Sequence, residues 1–368
     1  MKLEAIELRR IALPLVSPFR TSFGTQTERD VLLVRAVTSD AEGWGECVAL
    51  LEPMYSSEYV EGAQHVMERF LLPRLLAQGD VTAIDVARLL APVQGHRMAK
   101  AAVEMAVLDA ELRLAGRSWA REMGAVIDRV PSGVSVGIMD TLPQLLDAVQ
   151  GYVDEGYVRI KLKIEPGWDI QPVAAVRERF GDIALQVDAN TAYTLADAQH
   201  LAQLDGFGLL LIEQPLPEEH VRAHAELART LKTPICLDES IVSAQSCVDA
   251  ILIGAVHIVN VKPGRVGGYL EARRIADVCA AHDIPVWCGG MLETGLGRAA
   301  NAALAANPAF RLPGDISAAS RFYERDIVTQ PITLEAGYVR VPEGPGLGTV
   351  IDQAFLDQVT TSVTTHRA

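Results

Sequence analysis

Between residues 159 and 262 the chain alternates short apolar runs with longer segments of helical periodicity, and a charged residue marks the end of each run. The runs are RIKLKI, ALQVDAN, LLLIEQP, ICLDES and HIVNVKP. The charges that mark their ends, Lys163, Asp188, Glu213, Asp238 and Lys262, stand 25, 25, 25 and 24 residues apart. A fixed period of this length marks a repeated supersecondary unit, here a strand followed by a helix. Runs rich in Val, Ile and Leu on both faces need cover on both faces, which predicts parallel strands joined by crossover helices. The linkers agree. Residues 169–180 put Val173, Val176 and Phe180 on one face, and Thr194 with Asp197 opens a helix carrying Ala198 and Leu201, the two helices ending at Gly181 and Gly206. Extending the period adds strands at 134–138 and 285–288 and a shorter eighth near 311–315. The pattern predicts an α/β barrel whose chemistry lies where strands end and loops begin.

The flanks follow other rules. Residues 3–15 alternate loosely, and 30–37 with 43–48 form a hairpin turned at 39–42. Between the first two strands lies SPFRTSFGTQ, residues 17–26, where Phe19 and Phe23 either cover the site as a lid or pack between domains. Three helices follow. Ser56 or Ser57 caps the first, which turns Ala63, Val66, Met67 and Phe70 inward; Thr82 begins the second; the third, 98–115, buries Met105, Leu108 and Leu112 and leaves Glu104 and Asp109 solvated. Near the end, 332–334 and 338–341 form a hairpin expected to return to the N-terminal segment. The expected domains are an α+β capping domain at 1–125, the barrel at 126–320 and a returning C-terminal segment at 321–368.

A length of 368 residues with 49% hydrophobic content supports a large core and a second domain. The net charge of −14 argues against nucleic acid or an anionic membrane as partner and for a small molecule. The first residues, MKLEAIELRR, show no apolar signal region, so the expected location is cytoplasmic. Five cysteines without CxxC spacing read as reduced and structural.

Asp188, Glu213 and Asp238 end consecutive strands and would converge on one mouth of a closed barrel. Three anions together require retained protons or a cation, and oxygen-only ligands suit Mg²⁺ or Mn²⁺. Lys161 and Lys163, two positions apart on one strand, point to the same face, and Lys262 approaches from the opposite side. Near a cation and each other, the pKa of Lys163 and of Lys262 should fall toward the range of a working base. GRVGG at 264–268 lacks both GxGxxG and GKS/T and reads as a tight turn, while the glycines of CGGMLETGLGR, 288–298, let substrate approach the backbone. His220 and His224 lack the Glu of HExxH and read as solvated helix histidines. The sequence gives Ser/His nucleophilic catalysis no support.

The order KxK, then Asp, Glu and Asp at successive strand ends, then a sixth-strand Lys resembles the enolase superfamily, in its muconate-lactonising subgroup. Within it, SFGTQ, GHRMAKAA, GVSVGI, RIKLKIEPGWD, QVDANTAYT, LIEQPL, CLDESI, NVKPGRVGGYLEARR and GGMLETGLGRAAN resemble the N-acylamino acid racemases that also make o-succinylbenzoate. The resemblance implies a modified TIM barrel, (β/α)7β, with an α+β cap. It implies an isomerase and lyase that racemises N-acyl or N-succinyl amino acids through an enediolate and dehydrates to o-succinylbenzoate in the same site. Alternatives are a dedicated o-succinylbenzoate synthase of menaquinone biosynthesis, a dipeptide epimerase, whose DxD is missing from PGDIS at 313–317, and a barrel that binds a carboxylate without catalysis. By the resemblance Asp188, Glu213 and Asp238 bind Mg²⁺, for which Mn²⁺ or Co²⁺ substitutes, and Lys163 and Lys262 are the paired acid/base residues. Lys161 orients the substrate carboxylate. Ser135, Gly290, Met291 and Leu292 form the acyl pocket, closed by Phe19 and Phe23. Behind them stand Glu239, partnering the KxK lysines, Arg265 beside Lys262, and Asn190. The implied assembly is a homo-oligomer built from dimers, up to an octamer.

Overall fold

The computed structural model describes residues 1–368. The chain begins with three antiparallel strands, β1 (Ala5–Thr21), β2 (Gly24–Val37) and β3 (Glu42–Cys47). Segment 17–26 is not a free loop. Beyond an irregularity between Pro14 and Phe19 the β1–β2 ladder resumes, pairing Phe19 with Gln26 and Thr21 with Gly24, so both phenylalanines ride on the tip of a hairpin.

Helix Arg97–Leu114 packs across this sheet. Its Ala102, Ala106 and Ala110 meet Gly43 and Gly45 of β3 so closely that a Cβ on Gly43 would lie 2.1 Å from Ala110 N, and one on Gly45 2.1 Å from Ala102 O. Glu104 and Asp109 are both buried, against the expectation of solvated charges. Asp109 accepts from Trp44 N at 2.9 Å, Leu347 N at 2.7 Å and Arg113 Nε at 2.9 Å, and Glu104 accepts from Leu270 N at 3.1 Å. The helix is enclosed nearly all round, so its carboxylates serve main-chain donors of neighbouring segments.

Thr82 caps Ala83–Leu90 with Asp85 in a capping box, as the sequence predicts. The preceding helix starts at Val60 after Tyr59, without a serine cap. A π-turn over Met67–Leu71 widens it by one residue, which turns Phe70 outward and gives its buried place to Leu71.

A short strand, β4 (Arg129–Pro131), precedes seven parallel strands: β5 (Gly133–Val136), β6 (Arg159–Lys163), β7 (Leu185–Asp188), β8 (Ile212–Glu213), β9 (Ile235–Leu237), β10 (Ile258–Val261) and β11 (Val286–Cys288), paired in that order. Helices Leu142–Glu155, Ile170–Phe180, Ala244–Leu252 and Tyr269–Ala281 cover them. The expected eighth strand is only a bridging segment. Gly133 N donates to Gly314 O, and Arg311 N and Asp315 N donate to the carbonyls of Val286 and Cys288, but Pro313 has no N–H and no ladder forms. Two smaller corrections fall here. The linker after Thr194 runs into 3₁₀ turns and ends at Gly208, not Gly206. His224 is buried, and its Nε2 accepts from Leu216 N at 3.2 Å.

The C-terminal hairpin, β12 (Leu334–Glu335) with β13 (Tyr338–Arg340), pairs with β4 at the start of the barrel and not with the N-terminal sheet. The last strand, β14 (Thr360–Arg367), does reach that sheet and extends it alongside β1. All five cysteines are buried and unpaired.

Candidate active site

Strand register gathers the charged residues. Across parallel neighbours Lys163 faces Asp188 and Asp188 faces Glu213, while Asp238 and Lys262 follow directly on β9 and β10. All five are buried. Lys161 Nζ lies 2.9 Å from Glu213 Oε2, 3.2 Å from Asp188 Oδ2 and 2.6 Å from Asp315 Oδ2. Lys163 Nζ donates to Asp188 Oδ2 at 2.6 Å and Asn190 Oδ1 at 2.7 Å. Lys262 Nζ donates to Asp238 Oδ2 at 2.6 Å. Arg265 lies behind Asp238, with Nη2 2.9 Å from Oδ1, and also donates to the carbonyls of Ile241 and Asn260.

The carboxylates divide into two kinds. Burial would raise Asp188, but Lys163, Lys161 and Lys262 hold it below the usual range, and Lys262 with Arg265 does the same for Asp238. Glu213 is pushed up to about 7, first by burial and then by the charges of Asp188 and Asp238. This is the crowding of anions that the strand-end spacing implies, and an oxygen-only set of this charge suits a hard divalent cation. The three carboxylates do not close around one point; ammonium groups lie among them, so a cation seated there would have to displace lysine contacts.

Among the protein's own groups, Lys262 is shifted upward. Burial alone would lower it, but Asp238, Tyr55, Glu239 and Glu213 together outweigh burial and raise it. The expectation counted a cation at the centre, whereas among the protein's own groups the acids dominate. Glu239 likewise meets the KxK lysines only indirectly. It accepts from Asn190 Nδ2 at 3.0 Å, Asn190 in turn accepts from Lys163, and burial and Asp238 push Glu239 up to about 8.

Above the cluster, one pocket is lined by Ser135, Lys161, Lys163, Asn190 and Lys262 from the barrel, by Gly290, Met291 and Leu292 after β11, and by Phe19 and Phe23 from the hairpin tip. Asp188, Glu213 and Asp238 lie beneath its floor, with Glu239 and Arg265 behind. GRVGG is a one-turn helix, Pro263–Val266, and a turn, as read from the sequence.

Among the lining residues that the sequence reading missed, two touch the lysines. Asp315 pairs with Lys161 and also with Arg159, whose Nη1 is 2.7 Å from Oδ1, and it accepts from Ser135 Oγ at 3.2 Å. A signal existed: after Lys262 the period continues to Cys288 and Asp315, 26 and 27 residues on. Tyr55, in the Ser-rich MYSSEY, carries no comparable signal.

An antiparallel cap over a parallel barrel, with lysines on two sides of a carboxylate cluster, defines a class. Residues 144–355 match the enolase C-terminal domain-like family, and residues 5–124 match the N-terminal domain of the mandelate racemase / muconate lactonizing enzyme family. The chain belongs to this family of the enolase superfamily and is an enzyme of it. Its relatives narrow the comparison. It is 69% identical, over 98% of each chain, to an N-succinylamino acid racemase of an Amycolatopsis species, and 44% identical to an o-succinylbenzoate synthase of Geobacillus kaustophilus, over 98% of this chain and 96% of that protein. A crystal structure of an enolase-superfamily member from Listeria innocua Clip11262 superposes with a TM-score of 0.95 at 42% identity, covering 100% of this chain and 99% of that one. No helix is long and apolar enough to cross a membrane.

Proposed function

We propose that the enzyme racemises N-acyl amino acids, N-succinyl derivatives in particular, by two-base transfer of the α-proton, and that the same site dehydrates a β-hydroxy acid to o-succinylbenzoate. The observation that carries this reading is the placement of Lys163 and Lys262 on β6 and after β10, both lining one pocket that Lys161 also lines. A site for simple carboxylate binding needs no base on each side.

Asp188, Glu213 and Asp238 would hold a divalent cation, Mg²⁺ by the chemistry of the donor set. Bound there, it would supply positive charge for the substrate carboxylate and for the negative charge that develops on it. Lys161, aimed into the same space, adds an ammonium to that stabilisation. As a free amine, Lys163 takes the α-proton; the C–H electron pair flows into the carboxylate to give an enediolate. The Lys262 ammonium returns a proton from the other side and inverts the centre, and the reverse reaction exchanges the roles. With a hydroxyl at the β carbon, the same electron pair instead expels it, and a lysine ammonium of the site gives it a proton so that it leaves as water. Phe19 and Phe23 exclude solvent above the acyl group. Relatives named as racemase and as synthase both support this pair of activities.

The test is α-proton exchange in D₂O. Lys262→Ala should not racemise an N-succinyl amino acid yet should still deuterate the enantiomer served by Lys163; Lys163→Ala should show the mirror behaviour, and chelation should abolish both. Racemisation at the parent rate in either variant would refute the two-base reading.

A further inference from the structure

The two lysines are held in different ways. The side-chain partners of Lys163, Asp188 and Asn190, both belong to the barrel. The capping segment reaches this side through Ser22, whose hydroxyl donates to the carbonyls of Ala189 and Asn190 at 3.2 and 3.3 Å, and through Arg20, whose Nη2 lies 3.0 Å from Glu165 Oε1, but neither residue touches the Lys163 amine. Lys262 instead has a partner from the N-terminal domain. Its Nζ donates to the Tyr55 hydroxyl at 3.2 Å and lies 4.8 Å from the centre of the Tyr55 ring; the same hydroxyl donates to Asp238 Oδ2 at 3.3 Å. Tyr55 thus closes a triangle with Lys262 and Asp238.

Two further contacts seat Tyr55. Its ring centre is 5.8 Å from that of Phe23 at the hairpin tip. The segment that leads to it leaves β3 and presses Val48 onto Gly264, two residues past Lys262, where an added Cβ would come 2.3 Å from Val48 Cγ2. The capping domain is therefore fitted to the turn that carries Lys262 and supplies the hydroxyl that aims its amine.

We propose that Tyr55 is a positioning residue for Lys262 alone, so that docking of the capping domain makes one of the two half-reactions competent while the other is assembled within the barrel. This rests on the two-base reading above. Losing one hydrogen bond to a charged group lowers Lys262-dependent steps by roughly ten- to a hundredfold. Inversion must slow equally in both directions, because the equilibrium between enantiomers is fixed.

The experiment compares parent and Tyr55→Phe in D₂O with each enantiomer of an N-succinyl amino acid, following deuteration with retention and inversion separately. For the enantiomer served by Lys163, retention exchange should persist while inversion falls, raising the ratio of the two; for the other enantiomer both should fall. A proportional loss of every rate, complete inactivity of the variant, or parent rates throughout would each overturn the proposal. A second readout needs no turnover: the ratio of Lys262 to Lys163 acylation by a small amine-reactive ester, read by mass spectrometry, should rise in Tyr55→Phe. An unchanged ratio counts against Tyr55. A parent protein that exchanges neither enantiomer refutes the proposed function, and the acylation ratio then still decides whether Tyr55 holds Lys262.

Discussion

Asp109 offers a sharp test of the buried polar contacts that join the capping helix to the rest of the chain. Asp109→Ala removes the acceptor of two buried main-chain donors, Trp44 N in β3 and Leu347 N near the C-terminus, and the partner of Arg113. The carboxylate is fully enclosed, at 0% exposure, so water does not simply replace it. Each stranded buried donor costs about 1–3 kcal/mol. The Arg113 side chain is 28% exposed and still reaches the carbonyl of Thr349, so its loss adds little. The expected destabilisation is about 3–5 kcal/mol. Asp109→Asn, which keeps one acceptor oxygen, should lose roughly half as much by the same reasoning. Equilibrium urea unfolding followed by circular dichroism, with both variants beside the parent, measures this. A loss below about 1 kcal/mol for Asp109→Ala would refute the claim that these donors have no other partner.

Two further outcomes follow from the same helix. Gly43→Ala should destabilise by about 3 kcal/mol, because the obstacles to a new Cβ are main-chain atoms of Ala106 and Ala110 that cannot rotate away; thermal unfolding within a degree of the parent would contradict the close approach. Glu104 is pushed up to about 7 by burial, with the Leu270 and Tyr269 amides acting the other way. The folded state therefore keeps a proton that the unfolded chain releases near pH 4.3, and stability is lost as pH rises from there to about 7, by roughly 4 kcal/mol at most. Glu104→Gln should show a flatter profile between pH 5 and 8 in the same unfolding assay.

The charged residues that mark the ends of the apolar runs were legible because a parallel barrel converts sequence period into spatial convergence. Asp188, Glu213 and Asp238 need no long-range information beyond the repeat, and Lys161 and Lys163 need only the two-residue alternation of a strand. Asp109 and Glu104 were misread for the opposite reason. Their donors lie 65, 238 and 166 residues away, and nothing within the helix distinguishes a carboxylate facing water from one facing another segment's amides. Phe70 failed through a local event, a single π-turn that shifts the inward face by one residue. The expected fall in lysine pKa belongs to a cation-bound site; among the protein's own groups Asp238, Tyr55, Glu239 and Glu213 raise Lys262, and of these only Tyr55 had no signal in the sequence.

The ladder that sets Lys163 beside Asp188 and Asp188 beside Glu213 also determines where this chain can change length. Inserting one residue within β7 would swing Asp188 to the outer face and present a neighbouring apolar side chain to the centre, because alternate strand residues face opposite ways. An insertion of the same size in the loop that enters β7 from the opposite end of the barrel leaves the ring intact, since register is re-established by strand pairing. The drift from a 25-residue period to steps of 26 and 27 after Lys262 is length change of this tolerated kind. Insertions and deletions across the family should therefore gather in the linkers, and a variant library that randomises linker length should retain far more functional members than one that alters any strand by a single residue.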